Sequence, residues 1–224
     1  MIKAIAFDGN GVLYYRPSDF VDELVDYIAA TLVPGLDRPA AAGDFRRWMK
    51  ASFDGGIGKG EAMERFMDGI GVADKVARTV ITAKELEFSR RIVLFPTERE
   101  TLLALDARGM PMGMITNSFQ SAREKTNWFE ALDLGCVVRQ VVSSIDFGAS
   151  KPDPAIYREF ARRVKLHPGE VAFVGHEDYE LRGAEEAGMQ TISFNCPETL
   201  VADFHLSVFE DLLAVVDRHG KVQS

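Results

Sequence analysis

The chain has 224 residues, 46% hydrophobic and 27% charged, with two cysteines and a formal net charge of −8. That length can bury one good core and still carry a modest insert, and the negative charge repels phosphate backbones and anionic bilayers, so neither nucleic acid nor a membrane is an expected partner. Cys136 and Cys196 form no CxxC pair and no cluster with histidine, which excludes a structural zinc motif and fits a reducing cytoplasm.

The first apolar run, Ile2 to Phe7, carries Lys3 and ends in Asp8. It is too short to span a bilayer and lacks a small-residue cleavage site, so it reads as a buried strand. Asp8-Gly9-Asn10-Gly11 then makes a turn at its C-terminal end. From Ser18 the spacing changes: Phe20, Leu24 and Ile28 recur every four residues, which predicts an amphipathic helix. Further helical patterns run over Phe45 to Ser52 and Glu61 to Phe88, separated by the glycine-rich stretch Gly55 to Gly60. That stretch lacks the glycine and hydroxyl positions of a phosphate loop and reads as a flexible loop, with Lys59 available to reach a substrate. Residues 15 to 95 are therefore expected to form a helical insert ending at Phe95-Pro96.

After Pro96 the rhythm becomes strand, helix, strand, helix, the pattern of a parallel sheet covered on both faces. Thr97 to Glu100 has capping-box spacing and predicts a helix over 98–108. Strands are expected over Met112 to Ile115, Val137 to Val142, Val171 to Val174 and Gln190 to Phe194. Asp153-Pro154 starts a helix burying Ile156, Phe160 and Val164, and another helix runs to Gly188. The fold class is thus α/β, a doubly wound parallel sheet with a small α-helical domain, the core being 1–14 with 96–224.

Open α/β sheets bind ligands at the carboxyl ends of their strands. Asp8, Thr116, Lys151 and the loop from His176 to Glu180 all lie at such ends. A carboxylate, a hydroxyl and an ammonium on one crevice suit nucleophilic attack on an anionic substrate, with hydrolysis through an aspartyl ester or aspartyl phosphate.

The segments FDGNGVLY, ITNS, SKPDPAIY and FVGHEDYELRGAEEAGM, in that order, resemble the four motifs of the haloacid dehalogenase superfamily, and the resemblance covers residues 1–14 and 96–194. It implies a Rossmann-like core with a helical cap inserted after the first motif. It also implies Asp8 as nucleophile, Thr116 with Asn117 beside it as substrate-binding residues, and Lys151 as the cation that orients nucleophile and substrate. The family's magnesium would take Asp8, the backbone carbonyl of residue 10 and an aspartate in the fourth motif.

Two positions depart from the family pattern. Asn10 replaces a usual second aspartate, and an amide cannot supply the acid/base catalysis that contributes about 100- to 10,000-fold. His176 replaces the aspartate that binds magnesium, and imidazole suits zinc or another transition metal better than this hard ion. An extended loop would let Asp178 fill the metal place; otherwise the crevice is degenerate and holds none. The leading expectation is a phosphatase-type hydrolase acting on a small phosphorylated metabolite. The alternatives are a degenerate crevice that binds an anion or a protein, and a metal-independent hydrolase of the dehalogenase kind.

Overall fold

The structure, a computed structural model, describes residues 1–197 and 199–220. The chain divides into two compact units, Met1–Tyr15 with Leu94–Ser224, and Arg16–Val93. Strand β1, Ala4–Phe7, opens the first unit with every residue buried, as a strand covered on both faces requires.

The second unit is helical: α1 is Phe20–Thr31, α2 is Arg38–Phe53, α3 is Lys59–Gly69 and α4 is Lys75–Ser89. Asp19 caps α1 by accepting from the Val21 N–H, and the α1 stripe of Phe20, Leu24 and Ile28 is buried. Phe45 and Phe66, with ring centroids 4.7 Å apart, pack together in its core. Helix α2 starts earlier than the apolar pattern implied. Asp37 caps it on the Ala40 N–H, and its alanine-rich first turns hold no long apolar side chain to reveal them. The single pattern over Glu61 to Phe88 is in fact two helices. The chain turns at Gly71, and Asp74 caps α4 on the Ala77 N–H. Lys59 is not a free loop lysine: it begins α3, and its Nζ lies 3.0 Å from Glu85, which is fully buried in α4.

The first unit resumes with α5, Glu98–Ala107, then β2, Met112–Thr116, α6, Ala122–Glu130, β3, Val138–Ser143, α7, Ser144–Phe147, and α8, Pro154–Arg163. It closes with β4, Val171–Gly175, α9, Asp178–Glu186, β5, Gln190–Phe194, β6, Phe204–Leu206, and α10, Asp211–His219. The sheet runs β3-β2-β1-β4-β5-β6, all pairs parallel. This is a doubly wound, Rossmann-like α/β fold. Ile156, Phe160, Phe173 and Leu181 belong to the apolar core against the sheet.

The capping box expected at Thr97 does not form. Thr97 is left-handed, with φ 62 and no side-chain cap bond, and Glu98 instead accepts the Phe95 N–H at 2.8 Å. Helix α6, strand β6 and helix α10 had no counterpart in the sequence reading, although Ser121 and Glu124 do form a complete capping box at α6.

Candidate active site

Chain winding reverses at β1, which pairs with β2 on one side and β4 on the other. Asp8 therefore leaves the sheet at its topological switch point. Its own N–H continues the ladder to the Val174 carbonyl at 2.8 Å, which fixes the side chain over the strand ends. Only 5% of Asp8 is exposed.

Lys151, 3% exposed, lies in the turn before α8. Its ammonium donates to Asp8 Oδ1 and, at 2.6 Å, to Glu180 Oε1 on α9. Asn117 holds the Lys151 backbone at both ends. Its Oδ1 accepts the Lys151 N–H at 2.7 Å and its Nδ2 donates to the Lys151 carbonyl at 2.9 Å. The approach of α9 to this turn needs Gly183, where a Cβ would stand 2.4 Å from the Pro152 carbonyl oxygen.

His176 follows β4 and closes the other side of the two carboxylates. Its Nδ1 is 3.4 Å from Asp8 Oδ2 and 3.6 Å from Glu180 Oε2, and its Nε2 is 3.7 Å from Glu177 Oε1. These are electrostatic contacts longer than good hydrogen bonds. The ring rests on Gly11, whose φ is 94 and where a Cβ would meet His176 Nε2 at 2.8 Å. Asn195 Nδ2 ties down that turn by donating to the Gly11 carbonyl at 3.0 Å.

Each carboxylate thus gives one oxygen to Lys151 and turns the other toward His176. Burial works to raise the Asp8 carboxyl, but Lys151 and His176 outweigh it and hold it below the usual carboxylate range. Burial dominates at Glu180 and pushes it up, with the Asp8 charge adding to the effect against Lys151. Burial alone would lower Lys151, yet its two carboxylates keep it firmly protonated. The Asp8 carboxylate raises His176 against the cost of desolvation.

The structure brings Asp8, Lys151 and His176 together, with Thr116 buried at the end of β2. A Cβ on Gly9 would lie 3.2 Å from Thr116 Oγ1, so the hydroxyl sits against the residue after Asp8. Asn10 is exposed. Asp178 takes a different place from the one considered for a metal ligand: only Glu177 is extended before α9 begins at Asp178, and Asp178 Oδ2 pairs with Arg182 Nε at 2.8 Å. Asn117 turns both ends of its amide to the Lys151 backbone, a positioning task that spacing did not disclose. Glu180, the second acidic position of the fourth motif and four residues after His176, is the other carboxylate partner of Lys151.

Among the described residues, the group with donors close enough for one ion is Asp8, His176 and Glu180, with ligand atoms within 4.8 Å of one another. Magnesium, implied by the motif resemblance, demands an octahedron of oxygens. An imidazole at its direct-ligand position does not fit that demand.

Residues 2–188 match the profile of a family described as haloacid dehalogenase-like hydrolase. A glyceraldehyde 3-phosphate phosphatase of Methanopyrus kandleri is 28% identical over 199 residues, covering 86% of this chain and 83% of that protein. An (S)-2-haloacid dehalogenase 1 of Pseudomonas sp. (strain CBS-3) is 27% identical over 139 residues, covering 60% of this chain and 57% of its own length. In fold, the chain is similar to a 2-haloacid dehalogenase from Pseudomonas syringae, with TM-score 0.76, 21% identity and coverage of 97% and 99% of the two chains.

Proposed function

Because the chain belongs to the haloacid dehalogenase-like hydrolase family, whose profile spans residues 2–188, we propose that it hydrolyses a small phosphorylated metabolite through an aspartyl phosphate on Asp8. The observation that carries this reading is the Asp8 carboxylate, buried at the switch point and bonded to the Lys151 ammonium. Asp8 attacks phosphorus, the bond to the leaving oxygen breaks, and that oxygen takes the electron pair. Water then attacks the same phosphorus, the bond to Asp8 breaks, and the carboxylate is regenerated with release of inorganic phosphate. Lys151 offsets charge on nucleophile and phosphoryl group, and the Thr116 hydroxyl donates to a phosphoryl oxygen. The helical unit, residues 16–93, is assigned the role of a cap that selects the substrate.

Asn10 offers no proton to the leaving oxygen, so substrates with good leaving groups, aryl or acyl phosphates, are expected to turn over faster than alkyl phosphates. A second reading is favoured by one observation, the imidazole at the hard-ion position. Attack of Asp8 on the carbon of a 2-haloacid needs no divalent ion.

Single turnover in ¹⁸O-water separates the two. Label in the released phosphate and none in Asp8 supports phosphoryl transfer, whereas label entering Asp8 with halide release means that water attacked the carbonyl carbon of an alkyl ester. Asp8→Asn is expected to abolish turnover with the fold intact, and activity surviving in that variant removes Asp8 as nucleophile. Neither phosphate nor halide release across an aryl phosphate and 2-haloacid panel leaves the crevice as a binding site.

A further inference from the structure

We propose that Asp8, Glu180 and His176 form a binding site for a zinc-class divalent transition ion, and that the bound ion withholds the Asp8 nucleophile. The second half rests on the hydrolase reading above; the first does not.

Two buried atoms at this site make no hydrogen bond. Glu180 is only 3% exposed, yet its Oε2 makes no hydrogen bond, and neither does the buried Nδ1 of His176 that faces it. A buried polar atom left without a hydrogen bond costs about 1–3 kcal/mol, and one ion between these two would satisfy both. Ligands held at 2.0–2.1 Å around a tetrahedral ion lie about 3.3–3.4 Å apart. His176 Nδ1 stands 3.4 Å from Asp8 Oδ2 and 3.6 Å from Glu180 Oε2, close to those edges before any ligand draws in.

Lys151 does not block this arrangement. It takes Asp8 Oδ1 and Glu180 Oε1, which leaves Oδ2 and Oε2 for an ion. With the imidazole neutral, as a metal ligand must be, two ionised carboxylates and one ammonium sum to one negative charge, which favours a dication. The remaining ring nitrogen faces a carboxylate, Glu177 Oε1 at 3.7 Å, beyond hydrogen-bond distance but on the side where metal-bound histidines take an outer partner. One nitrogen and two oxygens suit zinc, cobalt or nickel and not magnesium. With Oδ1 on Lys151 and Oδ2 on the ion, neither Asp8 oxygen remains free to attack.

The test uses the full chain, stripped with chelator, in a Cys136→Ser, Cys196→Ser background to remove thiol binding. Titration calorimetry with zinc chloride is expected to show one ion per chain, and magnesium chloride no binding at millimolar concentration. His176→Gln should weaken zinc by at least the roughly tenfold that losing even an outer partner costs, and Glu180→Gln should also weaken it. His205→Gln should leave it unchanged, because that ring bonds Ser193 on β5. Thermal melts of each variant check the fold. Cobalt(II) should give visible absorption bands of tetrahedral intensity that His176→Gln loses. Zinc binding equal in His176→Gln and parent, or no tighter than magnesium, overturns the site. Bound zinc is expected to suppress hydrolysis of an aryl phosphate; zinc that binds and leaves that hydrolysis unchanged or raises it overturns the withholding role, and zinc that binds a chain with no hydrolytic activity at all overturns the hydrolase reading while the metal site stands.

Discussion

Lys151 keeps its charge with 3% of its surface exposed because it lies between Asp8 and Glu180. Removing one partner from such a buried cluster typically costs about 3–5 kcal/mol. Lys151→Met leaves the two carboxylates facing each other without a cation, so its urea midpoint at neutral pH should fall by a stability loss in that range. Asn117→Ala acts more gently. Both ends of the Lys151 peptide lose their clamp, the ammonium wanders, and kcat for an aryl phosphate should fall about tenfold or more while KM changes little, since misplacement by about 1 Å can cost 100-fold. Equal changes in kcat and KM would assign Asn117 to substrate contact. The strand-end rule is local, which is why Asp8, Thr116 and Lys151 were legible as candidates. The Asn117 clamp spans 34 positions and the Lys151–Glu180 pair spans 29, and nothing local announces either.

At the scale of elements, the start of α5 carries a buried acid. Glu98 is fully buried and only its Oε2 is hydrogen-bonded, and burial pushes its carboxyl from 4.5 up to about 9. The folded chain therefore holds this proton more tightly than the unfolded one. Its contribution is fully present below pH 4.5 and is lost as pH rises toward about 9. Glu98→Gln should flatten the fall of the melting temperature across that window and gain most at its alkaline end; an unchanged slope would show that Glu98 is ionised in the folded chain. Helix α9 supplies a second case. A Cβ at Gly183 would lie 2.4 Å from the Pro152 oxygen, so Gly183→Ala should cost about 1–3 kcal/mol in denaturant unfolding and, by pushing the Lys151 turn, lower turnover as well. Such close approaches depend on packing between elements and leave no mark in apolar periodicity. The same blindness merged α3 with α4, since both helices place apolar residues at compatible spacing on either side of Gly71.

Over the whole molecule, the charge of −8 opposes the approach of the anionic substrate that the crevice is proposed to accept. For a dianionic aryl phosphate, kcat/KM should rise with added salt and level off once the screening length nears about 8 Å; a steady fall would mean that a local positive field dominates encounter. The alternation of strands and helices made the doubly wound class legible, because parallel neighbours need crossovers. Strand order was not written there, because order depends on which pairs form across the sheet. That order also sets a schedule. Ile5 pairs with Met112 and with Ala172, so on the ribosome the apolar strand bearing Asp8 emerges before its sheet partners and waits, unpaired, while the whole helical unit is made. Ribosome-bound chains halted before Met112 should then expose Ile2 to Phe7 to chaperones and proteases, and protection should arrive only as β2 and then β4 emerge from the exit tunnel.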